Sequence, residues 1–89
     1  MASTMGVRVV SPEKTVFQGQ ARSLVAPAWD GQVGVLPGHA PYLALLGSGV
    51  LRIQSETGGE ERFHVAGGVL KVEANSVTVL ASEVGVHPA

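Results

Sequence analysis

Apolar and polar residues alternate with a period of two along most of the chain, and nowhere do they take up the i, i+3, i+4 spacing of an amphipathic helix. The pattern predicts an all-β domain. In MGVRVV, Val7 and Val9 stand against Arg8; in ARSLVA, alternation sets Leu24 with Arg22 on one face and Ala21, Ser23 and Val25 on the other. VLRIQS places Leu51 and Ile53 opposite Arg52 and Gln54, and ETGGEE then supplies the Gly58-Gly59 pair that a tight hairpin with positive φ needs. RFHVA is the return strand, with Phe63 and Val65 facing one way and Arg62 and His64 the other. Gly67-Gly68 is expected to end it before VLKVE begins a further strand. EANS is turn material in which Asn75 tolerates the left-handed conformation, and VTVLA closes the series. Strands at this spacing suit a sandwich or barrel. The expected domain covers residues 6–82, with a frayed start at 1–5 and a short tail at 83–89, where a glycine and a penultimate proline are expected to stop regular structure.

Composition narrows the classes. With 89 residues there is room for one core, and with no cysteine there is neither a disulfide framework nor a thiolate metal site. Six basic against seven acidic side chains, with no run of like charge, argue against a nucleic-acid partner. No apolar stretch approaches the roughly 20 residues that cross a bilayer, and no charged-then-apolar leader opens the chain, so it is expected to be soluble by itself. Yet 45% of the residues are apolar, and the aromatics are only Phe17, Trp29, Tyr42 and Phe63. So apolar a small domain is expected to leave apolar surface exposed, which points to a protein–protein interface.

Catalytic signatures are missing. There is no phosphate-binding loop, no GxGxxG opening a helix, no HExxH and no GxSxG. His39, His64 and His87 have no spacing that implies a shared metal, and adjacent Glu60 and Glu61 would point to opposite faces of a strand. Neither a metal nor a cofactor is expected. Lys71 in VLKVEA loosely resembles the hairpin lysine that carries biotin or lipoate in carrier domains, but alternation puts it in mid-strand and its flanking residues differ. A carrier domain or a generic β-sandwich interaction module is the alternative reading.

The most distinctive stretch is DGQVGVLPGHAP, residues 30–41, which packs three glycines and two prolines around one histidine. Gly31 and Gly34 let the chain turn about the short strand QVGVL, while Pro37 and Gly38 reverse it. With SPEKTVFQG before it and VAGGVLKVEANSVTVLA after it, the chain resembles the N-terminal β-sandwich domain of the epsilon subunit of F-type ATP synthase, over most of Val7 to Ala81. The resemblance implies a flattened barrel or sandwich of about ten strands. It also implies a non-catalytic rotor subunit of the central stalk, which links the gamma subunit to the c ring and couples proton-driven rotation to ATP synthesis. The subunit would then be peripheral to a membrane, attached through the c ring on the cytoplasmic face of the bacterial inner membrane, with plastid thylakoid and mitochondrial inner membranes as the other settings.

Carried over by position, the resemblance puts Ser11, His39, Ala44 and Ala66 at the contact with gamma, with Tyr42 and Leu43 near the same seam. Residue chemistry leaves other roles open: Ser11 as a turn residue before Pro12, His39 bonded to local carbonyls, Ala44 and Ala66 as core. Trp29, Asp30, Gly31 and Gln32 would be the foot on the c-ring loops, or Trp29 a lid folded over the barrel's open end. Most members of that family continue into a helical hairpin that inhibits ATP hydrolysis and in some bacteria binds ATP. The sequence given stops a few residues after its last expected strand, so neither property is expected of it.

Overall fold

A computed structural model describes residues 4–86 and is all-β. Seven strands follow one another: β1 Met5–Val10, β2 Thr15–Ala28, β3 Gly31–Val35, β4 Tyr42–Leu45, β5 Ser48–Ser55, β6 Glu60–Glu73 and β7 Ser76–Val86. They pair in the order β1-β7-β6-β5-β2-β3, and a β1–β2 pairing closes the first five into a barrel, with β3 on the outer flank of β2 and β4 on β6. Neighbours are antiparallel except β1 and β7, which run parallel from Gly6↔Ser76 to Val10↔Leu80. Seven strands do the work of the ten or so implied by the family resemblance, because β2 and β6 each run 14 residues and take different partners along their length. On β6, residues 60–66 pair with β5 and residues 69–72 with β4.

The core is filled as alternation predicts over most strands. Val7 and Val9, Leu51 and Ile53, and Phe63 and Val65 are buried, while Arg8, Arg52, Gln54, Arg62 and His64 face water. No polar or charged side chain is buried among the described residues. Four expectations fail. Arg22 sits at a bulge where Ala21 pairs with Ser55 and Ser23 with Gln54. The extra residue flips the parity, so Ala21 and Leu24 share the core face instead of opposing each other. Met5, expected in a frayed end, is a fully buried core residue of β1. At the other end β7 runs past Ala81 to Val86, with Glu83, Val84 and Gly85 paired to Ala66, Val65 and His64; His87 and Pro88 lie outside the described residues.

The fourth concerns Gly67-Gly68, which bends β6 without ending it. Both glycines have positive φ, +70° and +117°, and the β6–β7 ladder keeps one register from Phe63↔Val86 to Glu73↔Ser76 across them. Before the pair the core takes Phe63 and Val65; after it, Leu70 and Val72. On β7 the switch is matched: Val77, Val79 and Ala81 face inward, and then Val84. Two strands thus change faces together, which is how a few long strands wrap a barrel this small. The bend requires close backbone approach, since a Cβ on Gly68 would run into the Leu80 carbonyl oxygen.

The hairpins use matching turn chemistry. Between β5 and β6, Gly58 (φ +98°) donates its N–H to the Ser55 carbonyl at 3.1 Å. Between β6 and β7, Ala74 and Asn75 both hold positive φ, 48° and 52°, as a two-residue turn matched to the strand twist demands.

Substituting the glycine pair separates close approach from torsional strain. Gly68→Ala is expected to destabilise the fold by about 3 kcal/mol, because it adds a backbone clash to the cost of positive φ. At Gly67 the nearest atom to an added Cβ is the Ser82 hydroxyl at 3.3 Å, so Gly67→Ala should cost only the torsional part, about 1–2 kcal/mol. Urea unfolding of the two variants checks the ranking, and equal losses would contradict it.

Candidate functional site

Where β6 and β7 have exchanged faces, apolar side chains are turned outward. Register aligns Leu45 of β4 with Val69 of β6, Leu80 of β7 and Val10 of β1, a row crossing four strands. Leu45 is 61% exposed and Leu80 47%, with Val10 and Val69 half-buried. A shallow groove along the row's β1 end is lined by Val10, Ser11, Pro12, Leu80, Ala81 and Ser82. The next row, Leu43–Lys71–Thr78–Arg8, is polar apart from Leu43, which is 69% exposed. Leucines left wet on a sheet surface mark it for coverage by a partner.

The expected interface residues fall around this surface in different ways. Leu43 adjoins it directly. Ser11 borders the groove, but its side chain closes a local turn: its N–H donates to the Lys14 carbonyl at 2.9 Å, and the Lys14 N–H donates back to its hydroxyl at 3.3 Å. Ala44 pairs with buried Leu70, so its half-buried methyl faces inward rather than toward a partner. Ala66 lies across the glycine bend, between Ser48 of β5 and Glu83 of β7. His39 and Tyr42 stand at the far end of β4, with their rings edge to face and centroids 5.9 Å apart.

His39 is set by its turn. Pro37 and Gly38 (φ +84°) occupy the two central positions of a turn closed by the His39 N–H donating to the Leu36 carbonyl at 3.1 Å, the arrangement of a type II turn. Its Nδ1 lies 2.6 Å from the Ala40 carbonyl. A carbonyl only accepts, so Nδ1 carries the proton, and in the neutral ring Nε2 is left as an acceptor.

Trp29 and Asp30 form the two-residue tip of the β2–β3 hairpin, closed by the Ala28↔Gly31 pair, with Gly31 and Gln32 exposed beside them. The indole is 70% exposed, so it is no lid on the barrel. The Trp29 N–H donates to the Leu45 carbonyl at 3.0 Å, which anchors this tip to the end of the apolar row. At the β5–β6 hairpin, Arg62 Nε donates to Glu60 Oε2 at 2.6 Å, and that hydrogen bond holds the Glu60 carboxyl below its ordinary pKa. Lys71 stands mid-strand with its Nζ 3.2 Å from Glu73 Oε1, not at a turn. Among the described residues no group of three His, Cys, Asp or Glu side chains could hold a metal ion. Sequence reasoning missed Leu45, Val69, Leu80 and Val10, although one signal was there: alternation in VTVLA puts Leu80 on the same face as Thr78.

A closed β-barrel with an exposed apolar row defines a β-sandwich interaction domain. The chain belongs to the ATP synthase delta/epsilon chain family, whose β-sandwich domain matches residues 4–85. It is 47% identical over 79 residues to the ATP synthase epsilon chain of Alkalilimnicola ehrlichii, covering 89% of this chain and 56% of that one. In fold it is similar to a chain of the Euglena gracilis mitochondrial ATP synthase, solved as OSCP/F1/c-ring, with TM-score 0.89, 19% identity, and 97% of this chain against 55% of that one. A chain of the Tetrahymena thermophila mitochondrial ATP synthase, solved as central stalk/c-ring, superposes with TM-score 0.74 and 20% identity, over 92% of this chain and 66% of that one. The chain thus spans about half the length of the first relatives it matches.

Trp29 is the sole tryptophan, so fluorescence reports on the hairpin tip alone. The isolated protein should emit like solvated indole and be quenched readily by iodide. Blue-shifted emission resistant to iodide would mean that the ring packs onto the barrel.

Proposed function

We propose that the chain is a non-catalytic part of the rotor of an F-type ATP synthase, which joins the gamma subunit to the c ring and so couples rotation to ATP synthesis. The observation that carries this reading is the outward apolar row Leu45–Val69–Leu80–Val10, in a domain whose family supplies partners for such a surface. Gamma covers the row, and Leu43, Tyr42, His39 and Ser11 form its margin. Ala66 contributes by being small, and Ala44, whose methyl faces inward, supports the seam from beneath. The Trp29–Gln32 tip rests on the c ring, and the chain is thereby peripheral to the membrane, on the cytoplasmic face of a bacterial inner membrane. Mid-strand, ion-paired Lys71 favours no carrier function.

Leu80→Arg is expected to weaken association with the gamma subunit by about 2 kcal/mol or more, because it forces a charge into a desolvated seam. Its exposed position should leave the thermal midpoint close to that of the parent. A folded parent chain that does not associate with gamma at micromolar concentration overturns the assignment.

The c-ring contact is tested by salt. Asp30 is the only acid in the tip, and as a rim ion pair it contributes about 0.2–1 kcal/mol, screened by ions. Asp30→Lys should therefore weaken c-ring association mainly at low ionic strength, and Trp29→Ala at any. If cysteines at Asp30 and Gln32 fail to crosslink to c-ring loops in assembled enzyme while one at Glu60 succeeds, the domain sits the other way up.

A further inference from the structure

The loop that carries His39 is fastened to the barrel by one side chain from a distant turn. Asn75, in the β6–β7 turn, accepts a hydrogen bond on its Oδ1 from the Gly38 N–H at 3.0 Å, 37 residues away in sequence. Its Nδ2 donates to the Thr4 carbonyl at 2.7 Å, and its own carbonyl accepts from the Gly6 N–H at 3.0 Å. One residue thus joins the turn before β4, the β6–β7 hairpin and the start of β1. Both ends of the amide are used, which fixes its orientation: the oxygen toward Gly38, the nitrogen toward Thr4.

We propose that Asn75 is a positioning residue for the partner-facing surface: it pins the Leu36–His39 turn and thereby sets where the imidazole of His39 meets the partner. This rests on the function proposed above. The β3 and β4 ladders hold the ends of this loop, at Val35 and Tyr42, and the turn bond between His39 and Leu36 shapes it internally; the Asn75 amide ties its middle, at Gly38, to the barrel. With Nδ1 committed to the Ala40 carbonyl, the Nε2 acceptor is the polar atom His39 has to offer, and its place in space follows from that of Gly38. The partner group it fits is a hydrogen-bond donor. An asparagine suits the position doubly, because the turn needs positive φ at residue 75 and the loop needs an acceptor reaching out of that turn.

Asn75→Gly separates these two roles, since glycine keeps the backbone conformation and removes the amide. In the isolated protein the variant is expected to fold with a thermal midpoint near the parent's, exchange its Gly38 amide proton faster, and shift the His39 ring resonances. Association with the gamma subunit should fall about fivefold to tenfold, in keeping with the loss of one positioning hydrogen bond. Asn75→Asp retains an acceptor for Gly38 but sets a carboxylate oxygen against the Thr4 carbonyl, so it should recover slow exchange at Gly38 and the affinity in part, above Asn75→Gly and below the parent. In a His39→Ala background, Asn75→Gly should cost almost nothing further, because the two residues act as one unit. Full affinity in Asn75→Gly, or the same loss with and without His39, overturns the proposal. A parent chain with no affinity for gamma would instead overturn the function it rests on, and exchange at Gly38 would still show whether the clamp exists.

Discussion

The close passage of Gly68 against the backbone of Leu80 governs both the inside and the outside of this barrel. Were β6 and β7 to alternate without interruption, the residues continuing the inward series from Phe63 and Val65 would include Val69, and those continuing it from Val84 would include Leu80. The bend exchanges the faces, so Leu70, Val72, Val77 and Val79 enter the core while Val69 and Leu80 turn outward. The apolar surface is therefore a product of the same step that closes the core. Neither can be altered alone without moving the other.

Much of the fold is legible in the sequence because alternation reports burial directly wherever a strand is regular. It succeeds for Val7 and Val9 around Arg8 and for Leu51 and Ile53 around Arg52. It fails at Arg22 and at Gly67-Gly68 for one reason, that a bulge or a paired left-handed bend changes the parity of everything beyond it. A composition of glycines announces that something happens, and the pairing partner decides what. The site is harder to read. Leu43 and Trp29 are exposed, but Leu45 and Leu80 pass for core residues until the register aligns them across four strands. The contact of Asn75 with Gly38 has no local signature at all, since it joins segments that only the closed barrel brings together.

Electrostatics has a subordinate part. The two ion pairs among the described residues, Arg62–Glu60 and Lys71–Glu73, lie on the surface between near neighbours on one strand, where such pairs add little. Because no ionisable side chain is buried among the described residues, the interior supplies no group whose titration would open it. Specificity of structure comes instead from backbone shape: a bulge, a glycine bend and the turns at Gly38, Gly58 and Ala74–Asn75 with positive φ. That leaves the charged faces free to serve contacts.

The parallel pairing of β1 with β7 sets an order of events during synthesis. Val10 waits for Leu80, and the Thr4 carbonyl for an amide 71 residues later, so β1 finds its second neighbour only after β7 has been made. Until then the barrel is a sheet with one side open and its aliphatic interior accessible. Contacts of such sequence separation slow folding and prolong that exposure. A nascent chain of this kind depends on rapid pairing of β1 with β2, its close neighbour in sequence, to keep the unfinished edge from finding another molecule first.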